Sequence, residues 1–363
     1  MLINGKHYRT IWLSEDKKAA EIIDQRYLPF EFIIEKITSA TEMAICIKDM
    51  HLRGAPLIGA AGAYGIYLAA LEAFSLKISD YKQHIKNCAL FLEKTRPTAV
   101  NLKWAIDRVM YELDKVETVE QKVATAYRIS EQIADEDAEN CRMMGVNGVA
   151  LIEEIYKKKG ETVNVLTHCN AGALACVDYG TATSVMYEAK RKKIPIHVWV
   201  DETRPRNQGK ITNWELEQDG IDNTVICDNT GGYLMSKGMV DIVIVGTDRT
   251  TRNGDVANKI GTYLKALAAN DNGIPFYVAL PSSTYDDTLE TGDSIPIETR
   301  DEGEVLTIDG NFHGRIETVQ LYPYKTKAVN YGFDITPARL VTGFITEKGI
   351  FKPEDLSKNL GKK

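Results

Sequence analysis

The chain has 363 residues, 44 of them basic and 51 acidic, which leaves a formal net charge of −7. This acidic balance excludes a general nucleic-acid-binding protein, because such a protein needs a basic excess or a basic stripe. A hydrophobic fraction of 44% excludes disordered, collagen-like and disulfide-stapled chains. It predicts a soluble globular protein of about two domains.

Cysteine and histidine usage indicates a reducing compartment and no resident metal. Six cysteines are too sparse for a disulfide framework in a chain of this length, and no two of them form a Cys-x-x-Cys pair. The six histidines are scattered and none belongs to a His-Glu-x-x-His string, so we expect no metal site. Met1–Trp12 carries no signal-peptide pattern. We therefore expect a cytoplasmic protein.

The first part of the chain is predicted to be helical, because apolar residues recur there at three- and four-residue spacing. One stretch, Gly54–Leu71, has no charged residue and is long enough to be considered a membrane span. Its four glycines favour a close-packed internal helix, so no membrane partner is expected. The predicted helices are Glu31–Met50, Gly59–Leu76, Tyr81–Lys94, Leu102–Lys115 and Val119–Ala138.

The pattern changes at about Cys141, where short runs rich in Val and Ile begin to alternate with amphipathic segments. Spacings of roughly 20–30 residues are typical of β-α units and a mainly parallel sheet. We therefore predict an α/β protein with a mostly helical N-terminal domain over residues 1–142 and an α/β domain over 143–363. A last helix is predicted after Thr336, with Gly349 as its end. The predicted strands are Val163–Leu166, Ile194–Val200, Thr224–Cys227, Ile242–Val245 and Phe276–Leu280.

Polar residues follow each of these five predicted strands. In a doubly wound sheet, ligands bind beyond the carboxyl ends of the strands. Each polar loop alone is unremarkable in composition, but their convergence on one edge predicts a small-molecule site there. The loops are Thr167–Asn170, Asp201–Arg204, Asp228–Asn229, Gly246–Arg249 and Pro281–Thr284.

Cys169 and Asp248 are the candidates for chemistry at this edge. Cys169 lies between a strand and a helix predicted over Gly172–Lys190, and a helix N-terminus stabilises a thiolate that can act as nucleophile or base. The alternative is a buried structural cysteine. Asp248 follows the most apolar strand, where desolvation raises the pKa of a carboxyl toward that of a general acid. The alternative for Asp248 is an ion pair with Arg249 or with a neighbouring loop group.

Phosphate-binding groups are predicted in two places. Asn258 and Lys259 are expected in the first turn of a helix that follows the Asn253-Gly254 turn, and a helix N-terminus with a lysine suits an anion. At the other place, Arg53 precedes two small residues that let a ligand approach the backbone closely.

Two further loop residues, Arg96 and Gln208, complete the predicted set of phosphate and sugar contacts. Arg96 could add a second guanidinium, and Gln208 an amide. Taken alone, each arginine is more often a solvated surface residue. The complete set is Arg53, Gly54, Ala55, Arg96, Gln208, Asn258 and Lys259.

Taken together, these strings resemble the methylthioribose-1-phosphate isomerases. That family shares a fold with ribose-1,5-bisphosphate isomerases and with regulatory subunits of translation initiation factor 2B. The resemblance runs from about residue 5 to residue 355. The strings that carry it are Arg53–Pro56, Arg96–Asn101, Thr167–Gly172, Asp201–Pro205, Gly246–Arg249 and Asn253–Gly261.

The resemblance implies a helical N-terminal domain, a Rossmann-like C-terminal domain and a homodimer that needs no cofactor. It further implies an aldose–ketose isomerase of methionine salvage, which converts 5-methylthioribose 1-phosphate to 5-methylthioribulose 1-phosphate. The family's catalytic pair falls on Cys169 and Asp248. Its sugar and phosphate contacts fall on the seven residues named above.

One segment departs from the family pattern. The family usually reads Asn-Pro-Ala-Phe-Asp where this chain has Asn330-Tyr331-Gly332-Phe333-Asp334, and the preceding Leu306–Lys327 also differs. The departure concerns the pocket for the substituent at carbon 5. 5-Deoxyribose 1-phosphate and ribose 1,5-bisphosphate therefore remain alternative substrates. A binding module of the initiation-factor type is the non-enzyme alternative.

Overall fold

The computed structural model describes residues 1–96 and 100–361. Residues 97–99, in the middle of the Arg96–Asn101 string, lie outside the described part. The described chain is mixed α/β, as predicted, with helices concentrated before residue 160 and strands after it. The helices are α1 Ala40–Lys48, α2 Ala55–Ser75, α3 Tyr81–Thr95, α4 Val100–Leu113, α5 Val119–Lys159, α6 Ala182–Arg191, α7 Gly209–Gln218, α8 Thr230–Ser236, α9 Thr262–Asp271, α10 Gly303–Leu306 and α11 Leu356–Leu360.

The strands form one large sheet and several small ones. The large sheet has the order β18-β17-β12-β9-β6-β7-β8 and is parallel except for its β17–β18 pair. The strands are β1 Leu2–Ile3, β2 Lys6–His7, β3 Ile11–Leu13, β4 Ala20–Ile23, β5 Ile34–Ile37, β6 Val163–Thr167, β7 Ile196–Asp201, β8 Asn223–Ile226, β9 Ile242–Val245, β10 Arg249–Thr251, β11 Val256–Lys259, β12 Phe276–Ala279, β13 Tyr285–Asp286, β14 Thr307–Phe312, β15 Arg315–Gln320, β16 Phe333–Thr336, β17 Gly343–Thr346 and β18 Gly349–Phe351.

All five predicted strands are present in the large sheet. The central strands β6 and β9 are mostly or fully buried, which explains their continuous runs of Val, Ile and Leu. A second, four-stranded sheet, β13-β10-β11-β16, follows directly on the end of β9. It carries residues 256–259 to the same edge of the large sheet at which β6 and β7 end.

The helices begin and end where local chemistry favours it. At the start of α5, the Thr118 side chain accepts a hydrogen bond from the Gln121 backbone N–H, and the Thr118 backbone N–H donates to Gln121 Oε1. At its end, Gly160 has φ +70°, a left-handed conformation that stops the helix. Ser39 and Asp80 cap α1 and α3 in the same way as Thr118.

Four helix predictions are wrong in their extent: one, Val119–Ala138, ends too early, because α5 continues to Lys159, and three begin too early. Glu31–Met50 is not one helix, because strand β5 occupies its first part and α1 begins only at Ala40. The helix predicted over Gly172–Lys190 begins at Ala182, after a 3-10 turn at Ala173–Ala175. In the segment after Asn253-Gly254, the turn is real but leads into β11, and the helix begins at Thr262.

The predicted last helix is a strand. Thr336 ends β16, and Pro337 is extended, with ψ 142°. The following β17 is fully buried and pairs with β12 in parallel. Burial of this Phe-Ile-Thr run in the sheet therefore outweighs the local capping pattern.

Helix α2 is the stretch that the sequence marks as apolar enough for a membrane. In the described part of the chain, α2 is the one helix that is both long enough and apolar enough to cross a bilayer. However, 83% of its most apolar window is buried inside the molecule. It packs against α4 and α5 in the core of the N-terminal part. This packing agrees with the prediction of a close-packed internal helix.

Helix α5 runs through the predicted domain boundary at residues 142 and 143. Its residues up to Ala138 belong to the core around α2, and from Cys141 onward they belong to the core under the large sheet. The division of the chain into two domains stays a prediction, and a continuous helix joins its two parts.

Candidate active site

A cleft lies beyond the carboxyl ends of β6, β7 and β9, between this edge of the sheet and the start of α2. Its volume is about 750 Å³, including the part open to solvent. The structure brings all nine predicted site residues to it: Arg53, Gly54, Ala55, Arg96, Cys169, Gln208, Asp248, Asn258 and Lys259.

Cys169 sits two residues after β6 in a left-handed backbone conformation, with φ +66°. Its N–H donates to Thr203 Oγ1 at 2.8 Å, and its carbonyl accepts from Thr212 Oγ1 at 2.8 Å. Burial raises the pKa of the thiol, whereas the charges of Lys259 and Arg53 act to lower it. The next helix begins only at residue 182. The charged groups that favour the thiolate form of Cys169 are therefore these two cations and not the predicted helix N-terminus.

Asp248 follows β9, and its backbone N–H donates to the carbonyl of Ala257 at 2.9 Å. Burial raises the pKa of its carboxyl group, and the charges of Lys259 and Arg96 oppose that shift. A carboxyl of this kind keeps its proton to higher pH than an exposed aspartate and can act as a general acid.

Asn258 and Lys259 reach the cleft from β11 instead of from a helix. Lys259 Nζ donates to the carbonyl of Gly332 at 2.9 Å and lies 4.6 Å from the centre of the Phe333 ring. Burial lowers the pKa of Lys259, while Cys169 and Asp248 act to raise it. The lysine is thus a half-buried cation close enough to the candidate thiol and carboxyl to influence both.

Gly54 places the N-terminus of α2 at the cleft. Its φ is +110°, and a Cβ at this position would lie 2.3 Å from the carbonyl oxygen of Ala175, so no other residue fits. No side chain caps this end of α2 and its first turn has no acidic residue. Arg53 stands beside it, and burial lowers the pKa of its guanidinium.

Several buried polar atoms of cleft residues have no hydrogen-bond partner within the described residues. A buried polar atom without a partner is costly, so these atoms mark places where a polar ligand would bind. They are Arg53 Nη2, Arg96 Nε, Asn170 Oδ1 and Gln208 Oε1. Three of the four belong to predicted contact residues, all but Asn170.

Arg206 and Arg300 also line the cleft, and sequence reasoning missed both. Arg206 Nη1 lies 2.7 Å from Glu304 Oε1, and Arg300 Nη2 lies 2.8 Å from the same oxygen. Burial opposes ionisation of Glu304, yet hydrogen bonds from the two arginines lower its pKa to about 2. Arg300 lies in an irregular segment, so no local pattern could have assigned it to the site.

One group with metal-ligand chemistry, His168, Asp201 and Asp228, lies next to the cleft. Lys265 Nζ lies 3.1 Å from Asp201 Oδ2, so a cation already faces this carboxylate. The group is therefore unsuited to hold a second cation.

The chain that carries this fold and this cleft falls in one class of protein, the Initiation factor 2 subunit family, whose model matches residues 51–353. Among solved structures, a 5-methylthioribose 1-phosphate isomerase from Pyrococcus horikoshii OT3 has a TM-score of 0.84 and 37% identity, with 97% of this chain and 96% of that chain covered. The translation initiation factor eIF-2B subunit delta from A. fulgidus has a TM-score of 0.81 and 41% identity over 98% and 99%.

Within that class, the sequence relatives identify one family. The methylthioribose-1-phosphate isomerase of Desulfosudis oleivorans is 54% identical over 346 residues, which is 94% of this chain and 93% of that protein. The chain belongs to the methylthioribose-1-phosphate isomerases, a family of sugar-phosphate isomerases.

Proposed function

We propose that the chain is the aldose–ketose isomerase of methionine salvage that converts 5-methylthioribose 1-phosphate to 5-methylthioribulose 1-phosphate. The observation that carries the proposal is one cleft that holds a thiol, a carboxyl with a raised pKa and several cations, most of them half-buried. The relatives at 54% identity carry the same activity in their names.

The cations and the helix N-terminus suit the phosphate group of the substrate. Arg53 and Lys259 supply positive charge, and Gly54 lets the phosphate approach the first backbone N–H groups of α2. Arg53 Nη2 gains the partner that it lacks. Holding the substrate in register in this way supplies several kcal/mol of the barrier reduction.

Asp248 acts first, as the general acid. The phosphate on carbon 1 keeps the sugar ring closed, so ring opening needs a proton on the ring oxygen. Asp248 donates that proton as the bond between carbon 1 and the ring oxygen breaks. The burial that raises the pKa of Asp248 keeps its proton available for this step.

Cys169 then moves a proton between the two carbons. Its thiolate removes the proton from carbon 2 and leaves an enediol-type intermediate. The same thiol returns the proton to carbon 1, while the hydroxyl on carbon 2 gives its proton to the Asp248 carboxylate and becomes the ketone. Both side chains end in their starting states. Direct transfer of a hydride from carbon 2 to carbon 1 is the alternative to this step.

Turnover in D₂O separates the two routes. A proton carried by Cys169 exchanges with solvent, so the proton route predicts deuterium at carbon 1 of the ketose, measured by NMR of the product. Deuterium at carbon 1 would exclude the hydride route, whereas a product without it would mean that the hydrogen of carbon 2 reaches carbon 1 without exchange, as the hydride route requires.

A second chamber beside the cleft, one part of which is lined by apolar side chains, supports the methylthio substrate. It has a volume of about 540 Å³, including its open part, and shares Asp248 and Phe333 with the cleft. Two cations border it, but Arg96 lies 3.6 Å from Glu298 and Arg249 lies 3.7 Å from Asp286. A second phosphate would compete with these carboxylates. The apolar lining is Ile58, Ile295, Pro296, Ile297 and Phe333.

The test is kcat/KM of the purified protein on 5-methylthioribose 1-phosphate, 5-deoxyribose 1-phosphate and ribose 1,5-bisphosphate. We expect the first to be preferred over the second by about 10- to 200-fold, which is what one extra apolar group contributes in such a chamber. A preference for the second would assign the enzyme to 5-deoxyribose disposal. Absence of turnover on all three would favour the binding module that the name of the A. fulgidus neighbour describes.

We further propose that the enzyme is a cytoplasmic homodimer. All six cysteines are free thiols, in keeping with a reducing compartment. Val225 on the edge strand β8 is 46% exposed, and Tyr233 on α8 and Leu264 on α9 are 61% and 65% exposed. Exposed apolar side chains and an open strand edge of this kind suit a second copy of the chain. Light scattering on the purified protein tests it, and a monomer at micromolar concentration would contradict it.

A further inference from the structure

His168 lies directly beneath the cleft and uses both nitrogens of its ring. Its side chain is fully buried and lines the cleft floor. Nδ1 lies 2.8 Å from Asp201 Oδ2, and Nε2 lies 2.8 Å from the carbonyl oxygen of Ile260. Because a carbonyl oxygen can only accept, Nε2 carries a hydrogen and donates it.

These two hydrogen bonds join three segments of the site. His168 immediately precedes Cys169 after β6, Asp201 ends β7, and Ile260 immediately follows Lys259 at the end of β11. The ring also packs on Gly261, where a Cβ would lie 2.9 Å from ring Cε1. Movement of the ring would therefore shift Lys259 relative to Cys169.

A buried ion pair holds the partner of the ring in place. Asp201 Oδ2 also lies 3.1 Å from Lys265 Nζ, and these two side chains are 0% and 4% exposed. Asp228, which is 29% exposed, lies with its Oδ1 3.9 Å from His168 Nδ1. Buried ion pairs of this kind add little stability over apolar packing of the same volume, so their main effect here is on geometry.

We propose that His168 is a positioning residue, which fixes the distance between Cys169 and Lys259 through its bonds to Asp201 and Ile260. The inference rests on the proposed function, in which these two groups act on one substrate. A histidine that only fills the core would affect the free energy of unfolding and nothing else. The two roles therefore separate experimentally.

The first variant is His168→Phe, which keeps a planar ring and removes both hydrogen bonds. We expect kcat/KM to fall by about 10- to 100-fold, the effect of a small misplacement of catalytic groups. His168→Gln keeps an amide N–H for the Ile260 carbonyl and is expected to recover part of the loss.

A second readout needs no turnover. Inorganic phosphate bound at Lys259 is expected to protect Cys169 from alkylation by iodoacetamide, followed by mass spectrometry of the Cys169 peptide. In His168→Phe, we expect the phosphate concentration for half protection to rise by about tenfold. This readout distinguishes failure of the positioning role from failure of the proposed substrate, because it remains measurable if no sugar phosphate is turned over.

Variants of Asp201 test the same positioning role without changing the histidine ring. Asp201→Ala removes the partner of Nδ1 and is expected to behave like His168→Phe, whereas Asp201→Asn keeps a hydrogen-bonding partner and is expected to restore most of the activity. The matched control is Asp222→Ala. It breaks a His–Asp bond of the same length, 2.8 Å, between His197 at the other end of β7 and Asp222, and is expected to leave both readouts unchanged.

A purely structural histidine predicts a different pattern. If the folded His168→Phe and Asp201→Ala proteins kept wild-type kcat/KM and wild-type phosphate protection while their melting temperatures fell, the positioning role would be wrong. If His168→Phe did not fold, the comparison of Asp201→Ala with Asp201→Asn would decide in the same way.

Discussion

Cys169 and Asp248 carry the chemistry of the proposed reaction at the scale of single residues. Burial raises the pKa of both groups, and Lys259 opposes the shift in both. Burial in the cleft therefore disfavours the charged form of both groups, and the nearby charge of Lys259 favours it. In the proposed reaction Lys259 serves two purposes, because the same charge that favours the thiolate also attracts the phosphate.

Removal of either group is expected to abolish turnover without unfolding the protein. Cys169→Ser replaces the thiol by a hydroxyl that does not ionise in this range, and Asp248→Asn removes the acid. Each should lower kcat by about 10²- to 10⁴-fold, with an unchanged circular dichroism spectrum. Cys227→Ser changes the exposed thiol and is the control. Wild-type rates in either variant would refute the role assigned to that residue.

Glu215 links pH to stability through a single buried proton. Burial raises the pKa of its carboxyl from 4.5 to about 7, although the N–H of Leu174 donates to Oε1 at 2.7 Å. Between pH 4.5 and about 7, the folded chain therefore still holds the Glu215 proton, whereas the unfolded chain has released it. The resulting stabilisation is complete below the unfolded pKa of 4.5 and is lost as the pH rises through about 7.

The variant Glu215→Gln is uncharged at every pH and removes this dependence. Between about pH 5 and about pH 8, we expect its free energy of unfolding to fall by about 2–3 kcal/mol less than that of the wild type. Urea denaturation at the two pH values measures it. Glu217→Gln, on the exposed face of the same helix, should reproduce the wild-type slope. Equal slopes in all three proteins would contradict the assignment.

At the scale of elements, the start of α2 depends on one glycine. Gly54→Ala would place a Cβ 2.3 Å from the Ala175 carbonyl oxygen at a φ of +110°. The start of α2 and the turn after Cys169 must then move apart. We expect a loss of about 1–3 kcal/mol in the free energy of unfolding and a larger proportional loss in kcat/KM.

The control for that variant is Gly310→Ala in the β14–β15 hairpin. A Cβ there has no heavy atom within 4 Å, so stability and turnover should both stay at the wild-type level. If Gly54→Ala matched this control in melting temperature and in kcat/KM, the close contact between α2 and the turn would be unimportant.

Elements with strong periodicity were predictable from the sequence, and those decided by tertiary pairing were not. The apolar runs of β6 and β9 and the apolar spacing in α3 each predict a single type of secondary structure. Strand β17 does not, because its Phe-Ile-Thr run follows a Thr-Pro pair that locally favours a helix start. The neighbour that decides it, β12, lies more than sixty residues earlier in the chain.

The sequence predicted which residues meet at the cleft, but it did not predict all the elements that hold them there. Cys169 and Asp248 follow strands, so the topology of a parallel sheet brings them to one edge. Lys259 was predicted for the right place on the wrong element, because only the pairing of β11 with β16 reveals that it lies on a strand. Arg300 reaches the cleft from an irregular segment, where no periodicity exists to indicate a direction.

At the scale of the whole molecule, the two predicted domains share more than a helix. Thr10 Oγ1 donates to the carbonyl of Ala173, and Gln25 Nε2 donates to the carbonyl of Leu174. The N-terminal strands therefore hold the turn that follows Cys169. Helix α5, about 60 Å long, adds side chains to the cores on both sides of residue 142.

This sharing predicts one cooperative unfolding transition instead of two. The chain has four tryptophans, and Trp104 on α4 and Trp199 on β7 report on different sides of the predicted boundary. In two variants that retain only one of these tryptophans, we expect the fluorescence midpoints in urea to coincide with each other and with the loss of helical circular dichroism. Midpoints that separate, with the Trp104 signal lost independently of the Trp199 signal, would mean that the helical part and the sheet unfold as separate domains in spite of α5.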